Sequence, residues 1–280
     1  MSNRRQFLQL AAAFGAATGV NPHAAWAADN VKIEFGDPEP FSFEELVARA
    51  KDLAAEPFEE PDIRHADILE TIDYDAFQQI GYRRELGLGE GTNVNFPAQL
   101  FHLGRYFKAP VKIHWLEQGR AREVRYTPDY FTFGDTDLDK KLPNDLGFSG
   151  FRLQDGQDAN TDWMALLGGC YFRSSGELNQ YGLSARAIAI DTALATPEEF
   201  PRFTEFWLQP GTVKSDDFTI FALLDGPSIA GAVRMLCTKS GKVQQEIEAR
   251  FFVREDVERM GIAPLTSMFW FGEHNRHQAK

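Results

Sequence analysis

Two carboxylates stand two residues apart in the alternating stretch 243–253, at Glu246 and Glu248. On a strand they share one face with Gln244 and Arg250, while Val243, Ile247, Ala249 and Phe251 share the other. That spacing puts the carboxyl groups roughly 6.5–7 Å apart, inside the range of an inverting glycosidase pair. The plainer reading is a solvated sheet face with an acid–base pair, and spacing alone does not make the two catalytic. A second patch, Gln180-Tyr181-Gly182-Leu183-Ser184-Ala185-Arg186, leads into a small and branched run at 187–191. Tyr181 offers a ring face for stacking on a sugar, and Arg186 offers donors for hydroxyl groups. The alternative is a structural turn in which Arg186 pairs with Asp191 or another acid at the core edge.

Other chemical patterns fail on inspection. There is no G-x-S-x-G elbow and no H-E-x-x-H pair. Gly87-Leu88-Gly89-Glu90-Gly91 follows no clear strand and sets an acid where a phosphate would lie, so it reads as a turn. Asp135, Asp137 and Asp139 begin like a calcium loop. Lys140 then takes the place of the required glycine, and Leu146 that of the bidentate acid. His274 and His277 lack a third ligand.

The elements that would position these residues are mostly strands. Ser42 and Glu45 form a capping box for a helix over 43–55, whose apolar residues Leu46, Val47, Ala50, Leu53 and Ala54 recur at helical spacing. Shorter helical pieces fall within 63–80, with Asp73 capping 74–80. From about residue 108 the rhythm turns to period two. A hairpin forms from 111–115 and 122–126 around Gly119-Arg120. Further strands are expected at 148–153, 169–173, 185–191, 203–208, 218–224, 229–237, 243–253 and 265–271, with one helical turn at 255–260. Many short strands after two early helices predict a mainly β body, a large β-sandwich.

The N-terminus carries an export signal in three parts. Arg4-Arg5 precede Phe7-Leu8, an apolar run fills 10–20, and Ala25-Trp26-Ala27 forms a cleavage site. The arginine pair points to the twin-arginine route, which exports folded proteins to the periplasm. Cleavage after residue 27 removes two arginines and no acid, taking the net charge from −12 to −14. So acidic a chain disfavours nucleic acid and anionic lipid as partners. Cys170 and Cys237 sit in apolar runs and are expected as buried free thiols, since folding would precede export. The apolar segment 267–271 lies near the last residue and reads as an edge left without a closing element. We therefore expect the chain to be the N-terminal part of a longer protein.

Several motifs in order resemble the periplasmic glucan biosynthesis family OpgG/OpgD, also called MdoG. They are Phe101-His102, Pro110-Val111-Lys112-Ile113, Ala121-Arg122-Glu123-Val124, Leu146-Gly147-Phe148-Ser149-Gly150-Phe151-Arg152 and Tyr171-Phe172-Arg173. The most specific are the 180–186 patch with Ala189-Ile190-Asp191-Thr192, and Gly261-Ile262-Ala263-Pro264-Leu265-Thr266-Ser267-Met268-Phe269. The twin-arginine signal resembles that of the D-type member. The resemblance implies an antiparallel β-sandwich of galactose-mutarotase-like form, present here in part over 28–280, with a following immunoglobulin-like domain absent. It also implies a periplasmic role with β-1,2-linked glucan and a link to a membrane glucan synthase. The family includes inverting β-1,2-glucanases, but its catalytic aspartates match no residue of this chain. The expected substrate-binding residues are Tyr171, Arg173, Tyr181, Ser184, Arg186 and Glu273. No catalytic residue, metal ligand or cofactor is assigned.

Overall fold

The computed structural model describes residues 31–155, 161–182, 184–212 and 214–266. The signal at 1–27, Glu273, the histidine pair and the segment 267–271 lie outside them.

Helix α1 (Phe43–Ala55) starts as its sequence dictates. The backbone of Ser42 is extended, its Oγ accepts the Glu45 N–H at 3.2 Å, and its hydroxyl donates to the Glu45 carboxylate at 3.1 Å. Two acids in the first turn complement the helix dipole. Helices α2 (Ala66–Thr71) and α3 (Tyr74–Gln78) follow, the latter capped by Asp73, which accepts the Ala76 N–H at 3.0 Å.

Strands β1 (Glu39–Pro40), β2 (Gly81–Tyr82), β3 (Ala98–His102), β4 (Lys112–Glu117), β5 (Arg120–Glu123) and β6 (Phe131–Thr132) come first. Strands β7 (Phe148–Gln154), β8 (Asp162–Leu167), β9 (Tyr171–Ser174), β10 (Ser184–Arg186) and β11 (Ile188–Ile190) follow. Strands β12 (Arg202–Pro210), β13 (Asp217–Asp225), β14 (Ile229–Ser240), β15 (Lys242–Val253), β16 (Met260–Ile262) and β17 (Leu265–Thr266) complete the described chain.

They form a seven-stranded sheet, ordered β1-β5-β4-β12-β13-β14-β15, and a six-stranded sheet, ordered β17-β10-β9-β8-β7-β3. Two small two-stranded sheets, β11-β16 and β2-β6, flank them. The fold is mainly β and antiparallel, as the sequence predicts. Among the described residues one pair, β4 with β12, runs parallel. The β4–β5 turn places Gln118 (φ 52°) and Gly119 (φ 73°) in the left-handed region that a two-residue hairpin turn needs.

The two sheets share one core. Leu100, Phe151, Leu153, Met164 and Leu166 of the six-stranded sheet meet Ile113, Phe206, Leu208, Ile220 and Val233 of the seven-stranded one. Phe151 and Phe206 touch edge to face across the gap, 5.2 Å between centroids. On the far side of the seven-stranded sheet, Phe43, Leu46 and Ala50 of α1 pack on Leu116, Trp207, Phe221 and Ala232. The layers are thus helix, sheet, sheet, with the outer face of the six-stranded sheet left for polar side chains.

Several elements depart from the expectations. Residues 255–259 hold no helical turn: the chain bends there and enters β16 at Met260. The run 185–191 is two strands, because the chain leaves the six-stranded sheet at Ala187 and pairs β11 with β16 instead. Strands β2, β3, β6 and β8 are additional. The thiols of Cys170 and Cys237 are free and buried, and burial pushes both up to about 12.

Candidate functional site

The outer face is built from two rows of residues in register. Gln99 of β3 pairs with Arg152 of β7, Arg152 with Ala165 of β8, and Ala165 with Arg173 of β9. Ser184 of β10 continues this row, one place beyond the Phe172–Ala185 pair. Two residues along, the second row runs Phe101, Gly150, Leu167, Tyr171 and Arg186. Side chains two apart on a strand share a face, so both rows point away from the core. Gly150 is required where it stands: a Cβ there would lie 2.1 Å from the Leu166 carbonyl oxygen.

A β-bulge brings an acid to this face. The register shifts between Leu153 and Gln154, inserting one extra residue in β8. Trp163 and Met164 therefore both enter the core, while Asp162 pairs with Gln154 on the outer side. The Tyr181 hydroxyl meets the Asp162 carboxylate at 2.8 Å and also its backbone carbonyl. Burial, then the Asp162 charge and hydrogen bond, push the Tyr181 phenol well above its ordinary value. Tyr181 thus stays a neutral donor.

The Arg173 guanidinium lies 4.5 Å from the Tyr181 ring centroid. Arg152 donates to Gln99 Oε1 through Nε at 3.1 Å and through a terminal nitrogen at 2.8 Å, and lies 5.9 Å from the Phe101 ring centroid. Burial lowers both arginines from their usual value, opposed by the charges of Asp162 and Tyr181. Guanidinium groups nevertheless remain charged. The result is a half-buried sheet of donors and ring faces whose own side chains hold it in place.

Of the expected site residues, Tyr171, Arg173, Tyr181 and Ser184 come together here and are all half-buried. Arg186 lies in the second row but is 3% exposed. It pairs with Glu198, donates to the Glu199 carbonyl at 2.6 Å and stacks on Phe200 at 4.4 Å. This is the structural pairing weighed for it, with Glu198 in the place of Asp191. Gln99, Arg152 and Asp162 were not foreseen. An arginine inside the apolar run 148–153 was a readable signal, whereas the bulge that turns Asp162 outward left none.

Glu246 and Glu248 lie on β15, the last strand of the seven-stranded sheet among the described residues. Arg250 pairs with Glu248 at 2.6 Å and Arg234 also holds it, the acid–base pairing of a sheet face. Asp137 of the acidic loop pairs with Lys140 at 2.9 Å. Among the described residues no cluster of three or more metal-ligating side chains occurs. Nor is any helix among them long and apolar enough to cross a membrane.

A two-sheet sandwich backed by a helix on one side, with a polar and aromatic face on the other, defines a mainly β sandwich protein. The chain belongs to the periplasmic glucan biosynthesis protein family MdoG, whose model matches residues 41–280. It is 43% identical to glucans biosynthesis protein D 2 of Ralstonia nicotianae, over 98% of this chain and 52% of that protein. It is 41% identical to glucans biosynthesis protein D of Xanthomonas axonopodis pv. citri, over 97% and 52%. The protein of the same name from Stenotrophomonas maltophilia is 39% identical, over 99% and 53%. The chain spans about half the length of these curated relatives.

Proposed function

We propose that the outer face of the six-stranded sheet binds β-1,2-linked glucan, and that the protein acts in the periplasm in the biosynthesis of osmoregulated glucans. The observation that carries this reading is the Arg173–Tyr181–Asp162 arrangement: a ring face, a fixed guanidinium and a fixed phenol side by side at the outer face of the six-stranded sheet. Sugars present apolar C–H faces and vicinal hydroxyls, which such a platform matches through stacking and paired hydrogen bonds. The family and the names of the relatives support a glucan as the polymer. The three-part N-terminal signal supports periplasmic location through the twin-arginine machinery, and a role beside a membrane synthase follows from the same reading.

Binding rather than cleavage is the activity we assign to the described residues. Inverting hydrolysis needs one protonated and one ionised carboxyl group facing one bond. Asp162 at this face is already engaged by Tyr181, and Asp155, just past the end of β7, by Lys239 of β14 at 2.7 Å. The test is calorimetric titration of the purified chain with linear β-1,2-glucan, beside β-1,4- and α-1,4-linked chains of equal length. Saturable binding preferring the β-1,2 chain is expected. Equal or no uptake of all three would refute the assignment.

A further inference from the structure

A pocket of about 200 Å³ opens where strand β3 begins and β7 ends, beside the turn at 87–92. Its polar wall is Arg84, Glu90, Gln99, Gln154 and Asp155, and Val94 and Pro97 supply apolar surface. Three features mark it as more than a crevice. First, it holds planar polar groups of both signs, the set that grips vicinal hydroxyls two at a time. Second, Arg84 and Glu90 line the pocket as exposed residues, and their side chains make no hydrogen bond or ion pair among the described residues. Third, Gln99 links the pocket to the outer face: its Oε1 takes both Arg152 hydrogen bonds, which leaves its amide N–H groups for the pocket.

We propose that this pocket is a second sugar subsite, which takes a single glucose unit of the same polymer that crosses the outer face. The inference rests on the reading of that face as glucan-binding. At about 30 Å³ per water, the pocket has room for roughly seven waters, which suits one sugar unit rather than a folded partner. Gln99 and Arg173 stand in one row, three strand spacings or about 14 Å apart. A chain bound at both places would therefore lie across the strands, with several units between its two anchors. Arg84 and Glu90 would hydrogen-bond hydroxyls of the unit in the pocket, with Val94 and Pro97 against its C–H surface.

The test compares linear β-1,2-glucan affinity for the unchanged chain, for Arg84→Ala with Glu90→Ala, and for Tyr181→Ala. In parallel, amide NMR shifts of Gly91 and Thr92 are followed as glucan is added to the unchanged chain. The double variant should bind about tenfold more weakly, the worth of one charge-assisted hydrogen bond, and the two amides should shift with saturation. If the unchanged chain binds glucan, the double variant binds as well and the two amides stay still, the subsite is overturned while the outer face stands. If the unchanged chain takes up no glucan, both readings fall together.

Discussion

Arg173 and Tyr181, eight residues apart in the chain, stack guanidinium on ring at 4.5 Å, and Asp162 anchors the free end of the tyrosine. Each member limits the freedom of the next. The arginine is packed by the ring, the ring is oriented by its hydroxyl, and the hydroxyl is held by an acid that a bulge has turned outward. A ligand meeting this surface has little side-chain entropy left to remove.

Tyr181 separates ring from hydroxyl in a simple pair of variants. Tyr181→Ala should weaken glucan binding about tenfold through lost stacking. Tyr181→Phe should keep most of the affinity but cost about 1–2 kcal/mol of stability, because Asp162 loses its donor. Calorimetry and urea melts read the two effects. Equal losses of affinity in both variants would count against a stacking role.

Glu205 ties helix α1 to the seven-stranded sheet. Arg49 of α1 donates to both of its oxygens, one at 3.1 Å, and His114 lies 3.2 Å away. Burial by itself raises the Glu205 carboxyl, but the His114 and Arg49 hydrogen bonds and the Arg49 and Lys112 charges hold it down to about 2. The stability this gives is therefore present above the ordinary carboxylate value and lost as pH falls toward 2. Glu205→Gln should cost about 1–3 kcal/mol at pH 7, with proteolysis of residues 43–55 appearing first. A melt identical to that of the unchanged chain would show that α1 docks by its apolar face alone.

His102 is buried between Leu103 and Tyr126. Its Nδ1–H donates to the Leu103 carbonyl at 2.6 Å, and Nε2 accepts the Tyr126 hydroxyl at 2.7 Å. Burial pushes its pKa down to about 4 from 6.5. The unfolded chain thus binds the extra proton first, so stability is full above pH 6.5 and falls as pH drops toward 4. The total loss is about 3 kcal/mol. Urea melts at pH 7 and pH 5 should show the loss, and His102→Gln should flatten it. An unchanged slope in that variant would assign the effect to other groups.

Export should depend on the arginine pair. Arg4→Lys with Arg5→Lys is expected to leave full-length protein in the cytoplasm, uncut after Ala27. Cell fractionation and the N-terminal mass of the product decide it. Processed protein in the periplasm would rule out the twin-arginine route.

How much of this was legible in the sequence depends on which side of a strand faces water. Helix α1 and the β4–β5 hairpin announce themselves, because a capping box and a glycine turn act locally, although the turn sits at Gln118-Gly119, one place before the expected Gly119-Arg120. Strand β3 does not: its polar residue Gln99 is itself buried, 4% exposed, under Arg152. Strand β8 reads as an unbroken apolar run because its bulge sends Trp163 and Met164 the same way. At the site, Tyr181 and Arg173 stand out by type. Arg186 stands out equally and is spent on Glu198, since residue type does not reveal whether a neighbouring loop supplies an acid.

The parallel pairing of β4 with β12 has a kinetic consequence. His114 on β4 and Glu205 on β12 are 91 residues apart, and every strand of the six-stranded sheet except β3 and β17 lies between them in the chain. The β4–β5 hairpin can form at once, but the larger sheet cannot close around β12 until that intervening length has been made and gathered in. Closing so long a loop is slow, and β13 to β15 wait with their apolar faces uncovered until it happens. Assembly therefore runs on a timer set by β12, and a transport route that accepts only finished folds would have to wait for the same event.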